Sequence, residues 1–218
     1  MNRTAKSLFF LALGLSLFIF SCKDDEPENP NQIVSDYYFQ AVIDGDTVTY
    51  QEGVSDYGQI VGDFWGGRIP GGYQYAPFTC LASAEGVANP GPNTLAESGA
   101  VAILVNTTSE ANTYAAYSAL PTTGVKDIGL LARTTFDSAA IGGYVSWYDA
   151  GGVEWTTNGG VQNNPSFVVT DLSDFEDNGW TPASHKLVSI NFSCTIYDPN
   201  GNSKELTGGR VRGRFIRW

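Results

Sequence analysis

Between residues 188 and 197 the chain alternates without a break. Val188, Ile190, Phe192, Cys194 and Ile196 are separated one by one by Ser189, Asn191, Ser193, Thr195 and Tyr197. A side-chain period of two belongs to a β-strand, so one face of this segment is apolar and enters a core while the other stays polar. Asp198-Pro199-Asn200-Gly201-Asn202 then supplies turn residues. Residues 206–218 return as a partner strand. This strand–turn–strand is the firmest structural statement in the chain.

The rest of the sequence repeats the theme in weaker form. Residues 36–43 read as a strand, Asp44-Gly45 as a tight hairpin turn, and 46–50 as its return. Further strands are expected over 59–65, 75–84, 100–105, 141–148, 153–157 and 166–172, with 100–105 apolar throughout and therefore central. Residues 109–118 fit a short helix or an irregular crossing. Many short strands with turns between them predict an all-β fold, an antiparallel β-sandwich or jelly roll.

The first residues have a different character. Arg3 and Lys6 precede an apolar run over 8–20, interrupted only by Ser16. A spanning helix needs roughly 20 apolar residues, so this run reads as an export signal over 1–21. Ile19-Phe20-Ser21-Cys22 resembles a lipobox, which makes Cys22 the lipidated residue, carrying palmitate-type chains on its side chain and freed amine. More than one acyl chain gives a stable membrane anchor. Lys23, Asp24, Asp25 and Glu26 resemble the lipoprotein export signal of Bacteroidota, which implies an outer-membrane lipoprotein displayed at the cell surface; a periplasm-facing lipoprotein is the alternative. Residues 22–34 form a flexible acidic linker, and 35–218 the β domain. The net charge of −11 argues against a nucleic-acid partner, whose phosphates need a basic surface.

Both ends of the domain carry a family resemblance. Phe39, Ile43, Asp44, Gly45 and Thr47 open it, and Phe192, Asp198, Gly201, Thr207, Gly208, Gly209, Gly213 and Phe215 close it. In these positions the chain resembles a group of small Bacteroidota surface lipoproteins with a β-sandwich domain of unassigned function. The resemblance implies fold and location, and it transfers no catalytic residue.

Residues that carry chemistry are sparse. Cys80 and Cys194 lie on strand-like segments and read either as a disulfide or as two separately buried thiols. His185, the single histidine, sits in loop-like sequence with no triad partner or zinc-ligand set. Asp171, Asp174, Glu176 and Asp177 read as a solvated acidic loop or as a calcium site, calcium being the one cofactor to consider. Trp65, Tyr144, Trp147, Tyr148 and Trp155 lie near glycines; they read as core fillers or as a platform for sugar rings. Arg210, Arg212 and Arg214 share one strand face, paired with carboxylates or open to an acidic polysaccharide or partner. Thr47 and Ser138 sit in short stretches that resemble the Bacteroidota O-glycosylation pattern.

Together these readings predict a surface-anchored, non-enzymatic binding or adhesion lipoprotein with a glycan ligand. A structural or accessory lipoprotein contacting an outer-membrane protein is the alternative, and a hydrolase the third reading.

Overall fold

The structure, a computed structural model, describes residues 29, 31–69, 72–83, 97–107, 124–125, 142–175 and 184–217. Cys22, Lys23, Asp24, Asp25, Glu26, Ser138, Glu176, Asp177 and the segment 109–118 lie outside these residues. The strands, in chain order, are β1 (Tyr38–Ile43), β2 (Asp46–Gln51), β3 (Tyr57–Ile69), β4 (Gly72–Ser83), β5 (Ser98–Thr107), β6 (Gly124–Val125), β7 (Gly142–Tyr148), β8 (Glu154–Thr156), β9 (Ser166–Phe175), β10 (Ser184–Tyr197) and β11 (Ser203–Arg217). The all-β expectation holds, and every pairing among them is antiparallel.

Turn chemistry sets the registers. Asp44 and Gly45 both take positive φ, 51° and 95°, the geometry of a two-residue turn whose twist matches the strands it joins. Asp149–Val153 and Asp198–Asn202 repeat a single longer design. In each, the first residue's amide donates to the carbonyl four residues on, at 3.1 and 3.0 Å. The aspartate Oδ1 accepts from the amides two and four residues on, at 2.8–2.9 Å. The fourth position, Gly152 or Gly201, sits at a φ of 73° or 84°, which favours glycine.

The strand order is β2-β1-β11-β10-β8-β7-β5-β4-β3, with β9 also on β10 and β6 on β9. These strands form one continuous sheet that folds over on itself, an arrangement consistent with the expected sandwich. Its two layers are joined by a single β10–β8 pair, Tyr197 with Thr156. β10 holds β9 along 185–193 and reaches β8 only at its end. In the gap, the Gln162 side chain takes the place of a strand: its amide accepts from Thr195 N at 2.9 Å and donates to Thr195 O at 2.8 Å.

The layers meet over one core. Phe39, Phe167, Ile190, Phe192, Val145, Val101 and Ile196 are buried in it, mixing strands from both layers. Phe39 on β1 fills the space where a side chain at Gly99 on β5 would start, and Phe167 on β9 does the same at Gly143 on β7. These glycines let strands of one layer receive aromatic rings from the other. The compact unit runs from Ile33 to Trp218. Its first turn is tied down by Gln51, whose Oε1 accepts from the amides of Val34 and Ser35 at 2.6 and 3.1 Å.

Candidate functional site

The aromatic residues expected near a ligand are in the core. Tyr144, Trp147, Tyr148 and Trp155 are all buried, none more than 8% exposed. The Trp147 indole donates to the Tyr50 hydroxyl at 2.8 Å and packs against Trp155 at 6.5 Å between ring centroids. Tyr50 stacks in turn on Tyr57 and Phe39. Burial raises the Tyr50 hydroxyl well above its ordinary pKa, with Trp147 opposing the shift. Trp155 donates to Asp149 Oδ2 at 3.0 Å, and the Lys204 ammonium sits 4.8 Å from its ring centre. The sugar platform built from these side chains is therefore corrected. The physical reason is that β7 is a central strand covered on both faces, all seven of its residues buried. Gly151 and Gly152, which suggested a loop, do turn the chain between β7 and β8, but the rings on either side of them are buried. Trp65 falls within β3, and its side chain lies outside the described residues.

The two cysteines are free thiols, both buried, in different apolar clusters. That settles the choice left open in the sequence against a disulfide. Desolvation pushes each thiol up to about 12; a hydrogen bond from Ser98 opposes the shift at Cys80, and the charge of Glu205 adds to it at Cys194. Neither thiol is poised to react, since the thiolate is the nucleophile.

The acidic stretch is also differently placed. Asp171 lies within the strand expected over 166–172, and β9 runs on to take in Asp174 as well, the two in register with Ser189 and Lys186. A strand sends neighbouring side chains to opposite faces, so it does not wrap oxygens around an ion as a calcium loop does. Among the described residues no group of three or more His, Cys, Asp or Glu is placed to hold a metal ion. His185 is likewise in a strand, β10, paired with Phe175 and Ile216. Thr47 is exposed on β2, the strand at one end of the sheet order.

The feature that does face solvent with built polar geometry crosses the outer face of β1, β11, β10 and β9. Gln40 is in register with Arg210, and Arg210 with Asn191, so three polar side chains stand in one transverse row. Ser193 and Ser166 pair one step further along. Together with Gly208 these residues line a shallow groove of about 390 Å³. Gln40 is the fixed point: its Nε2 donates to Thr49 Oγ1 at 2.9 Å, and its Oε1 accepts from Arg210 through both Nε, at 2.8 Å, and Nη2.

A bulge in β11 shapes the groove. The β10 register jumps from Phe192–Gly209 to Cys194–Leu206, and the β1 register jumps from Gln40–Arg210 to Val42–Thr207. Gly208 thus has no register partner on either side, and its φ of 57° is the left-handed value that such a bulge uses. Beneath it, the Phe192 ring lies directly against Gly209, closing the floor to the core.

Of these residues, only Arg210 stood out as a candidate in the sequence. The alternation over 188–197 did put Asn191 and Ser193 on a polar face, and Thr207-Gly208-Gly209 inside a strand is a bulge signal. Gln40 and Ser166 carry no local signal, because strand pairing alone brings them to the row. The chain matches no known family model, no curated protein and no solved structure.

Proposed function

We propose that this chain is a surface-anchored, non-enzymatic binding lipoprotein of the outer membrane whose ligand is a glycan, held on the outer face of β1, β11, β10 and β9. The observation that carries the reading is the transverse polar row. Sugar hydroxyls both donate and accept, and Asn191, Ser193 and Ser166 offer amide and hydroxyl groups that do the same, beside an Arg210 that Gln40 holds in place. Four hydrogen-bonded strands hold these groups in place before a ligand arrives, so little ordering opposes binding. The groove is open along the sheet, which suits an extended chain better than a small metabolite needing enclosure. Cys22 and the Lys23–Asp24–Asp25–Glu26 stretch support the location, since a lipid there keeps the face within reach of external polymers.

The test is a glycan array probed with the full-length protein in detergent micelles beside Asn191→Ala. Binding that Asn191→Ala weakens supports the reading; a blank array sinks it.

A further inference from the structure

We infer that the glycan is an acidic one and that Arg210, flanked by Arg212, receives its carboxylate. This deepens the binding reading above and rests on it. Arg210, Arg212 and Arg214 are alternate residues of β11, spaced along one face by about 7 Å per pair. The three are compensated unequally. Arg214 is the most occupied: its Nε donates to Gln59 at 2.7 Å, its Nη2 is 3.7 Å from Glu52, and it covers the Tyr37 ring at 5.0 Å. Arg212 meets a carboxylate only at 3.8 Å, on the largely exposed Asp36, and its buried Nε has no hydrogen-bond partner among the described residues.

Arg210 differs in kind. Among the described residues its partner is the neutral amide of Gln40, which fixes one edge of the guanidinium and leaves the charge in place. A guanidinium has five N–H donors in a rigid fork. With Nε and Nη2 on Gln40, the fork is oriented for an anion without being neutralised by one. Its row contains no acid: across the sheet run Gln40, Arg210, Asn191 and Val168. The neighbouring row, from Arg212 through Ser189, ends on Asp171. An incoming carboxylate is therefore favoured at Arg210 and disfavoured toward Asp171. The neutral hydrogen-bonding groups beside Arg210 suit the hydroxyls of the same sugar, which points to a uronate polymer. A polyphosphate needs many cations along its length, and this chain carries a net charge of −11.

The experiment titrates the full-length protein in detergent micelles with oligogalacturonate and with its methyl ester, which differ only in the charge on each sugar. The acid is expected to bind at least about tenfold more tightly than the ester, as a charge-assisted bidentate contact requires. Arg210→Gln should bring the acid down to the ester's affinity, and Arg210→Lys should restore only part of the difference, because an ammonium has no fork. Asn191→Asp, which sets a carboxylate beside Arg210 at an exposed position, should abolish preference for the acid even where Arg210→Gln folds poorly. Equal binding of acid and ester, or acid binding untouched by both variants, overturns this inference while glycan binding stands. Duplex DNA binding as tightly as oligogalacturonate overturns it too. Failure of acid, ester and the neutral array together overturns the glycan reading itself.

Discussion

Two groups of side chains in this molecule follow opposite plans. The Trp147–Trp155–Tyr50 group is rich in rings, lies between the layers and satisfies its polar atoms internally, the indoles donating to Tyr50 and Asp149. The Gln40–Arg210–Asn191 row is poor in rings, lies on an outer face and orients a cation with a neutral partner. The first group is a structural joint, and the second is the face proposed above to meet a ligand. What separates the groups is place: the first lies within the core, while Arg210 and Asn191 of the second are exposed.

Variants should split along the same line. Trp147→Ala removes a buried indole and leaves the Tyr50 hydroxyl without its donor, so unfolding in denaturant should register a loss of about 3–5 kcal/mol. Ligand affinity, corrected for the folded fraction, should not change. Gly143→Ala places a methyl where the Phe167 ring lies and should cost about 1–3 kcal/mol by overpacking, again without a binding effect. A Trp147 variant that folds normally yet fails to bind would break the comparison.

High pH probes the sealed interior as a whole. The Cys80 and Cys194 thiols rise from 9.0 to about 12, and the Tyr57 hydroxyl from 10.0 to about 12, mainly by burial and, for Tyr57, also through Glu97. A group with a raised folded pKa gives stability that is full below its unfolded value and lost as pH climbs through the folded one. Stability should therefore decline from about pH 9 upward, and both thiols should resist alkylation at neutral pH until the protein unfolds. Rapid labelling of either thiol in the native state would contradict their burial.

Low pH reaches the turns. At Asp149 burial raises the pKa, but donation from Trp155, Val153 and Gly151 and the charge of Lys204 outweigh it, so the net shift is downward. Asp198 is lowered chiefly by the Asn202 side chain, against desolvation, with the Asn202 and Asn200 amides and the Asn200 side chain adding to the downward shift. Depressed carboxylates stabilise at neutral pH and lose that contribution as acid protonates them, below about pH 4. Replacing both by Asn should flatten the acid limb of the stability profile. Arg210→Gln stands last: the residue is exposed, but the buried Gln40 oxygen loses both donors, so about 1 kcal/mol of stability should go.

Much of this architecture was legible in the sequence. The alternation from Val188 to Ile196 set strand, faces and core at once, and Asp44-Gly45 and Asp198–Asn202 fixed two hairpins through residues that tolerate positive φ. The faults came where a local pattern had two physical readings. Gly151 and Gly152 suggested an exposed loop carrying Tyr144, Trp147, Tyr148 and Trp155; they do turn the chain, yet the strands they join are covered and the rings are buried. Asp174 read as a loop carboxylate because the strand was expected to end at 172, while β9 continues to Phe175. The polar row was illegible for another reason. Gln40, Arg210 and Asn191 are far apart in sequence, and only the pairing of β1, β11 and β10 sets them side by side.

The central claim is that ligands meet the outer polar row and not the aromatic group. Mapping backbone amide shifts of the full-length protein in micelles, as oligogalacturonate is added, tests it directly. The account predicts changes concentrated at residues 189–193 and 207–212, with Gln40 beside them and residues 144–155 unmoved. Shifts centred on Tyr144, Trp147 and Trp155, with the row silent, would contradict it.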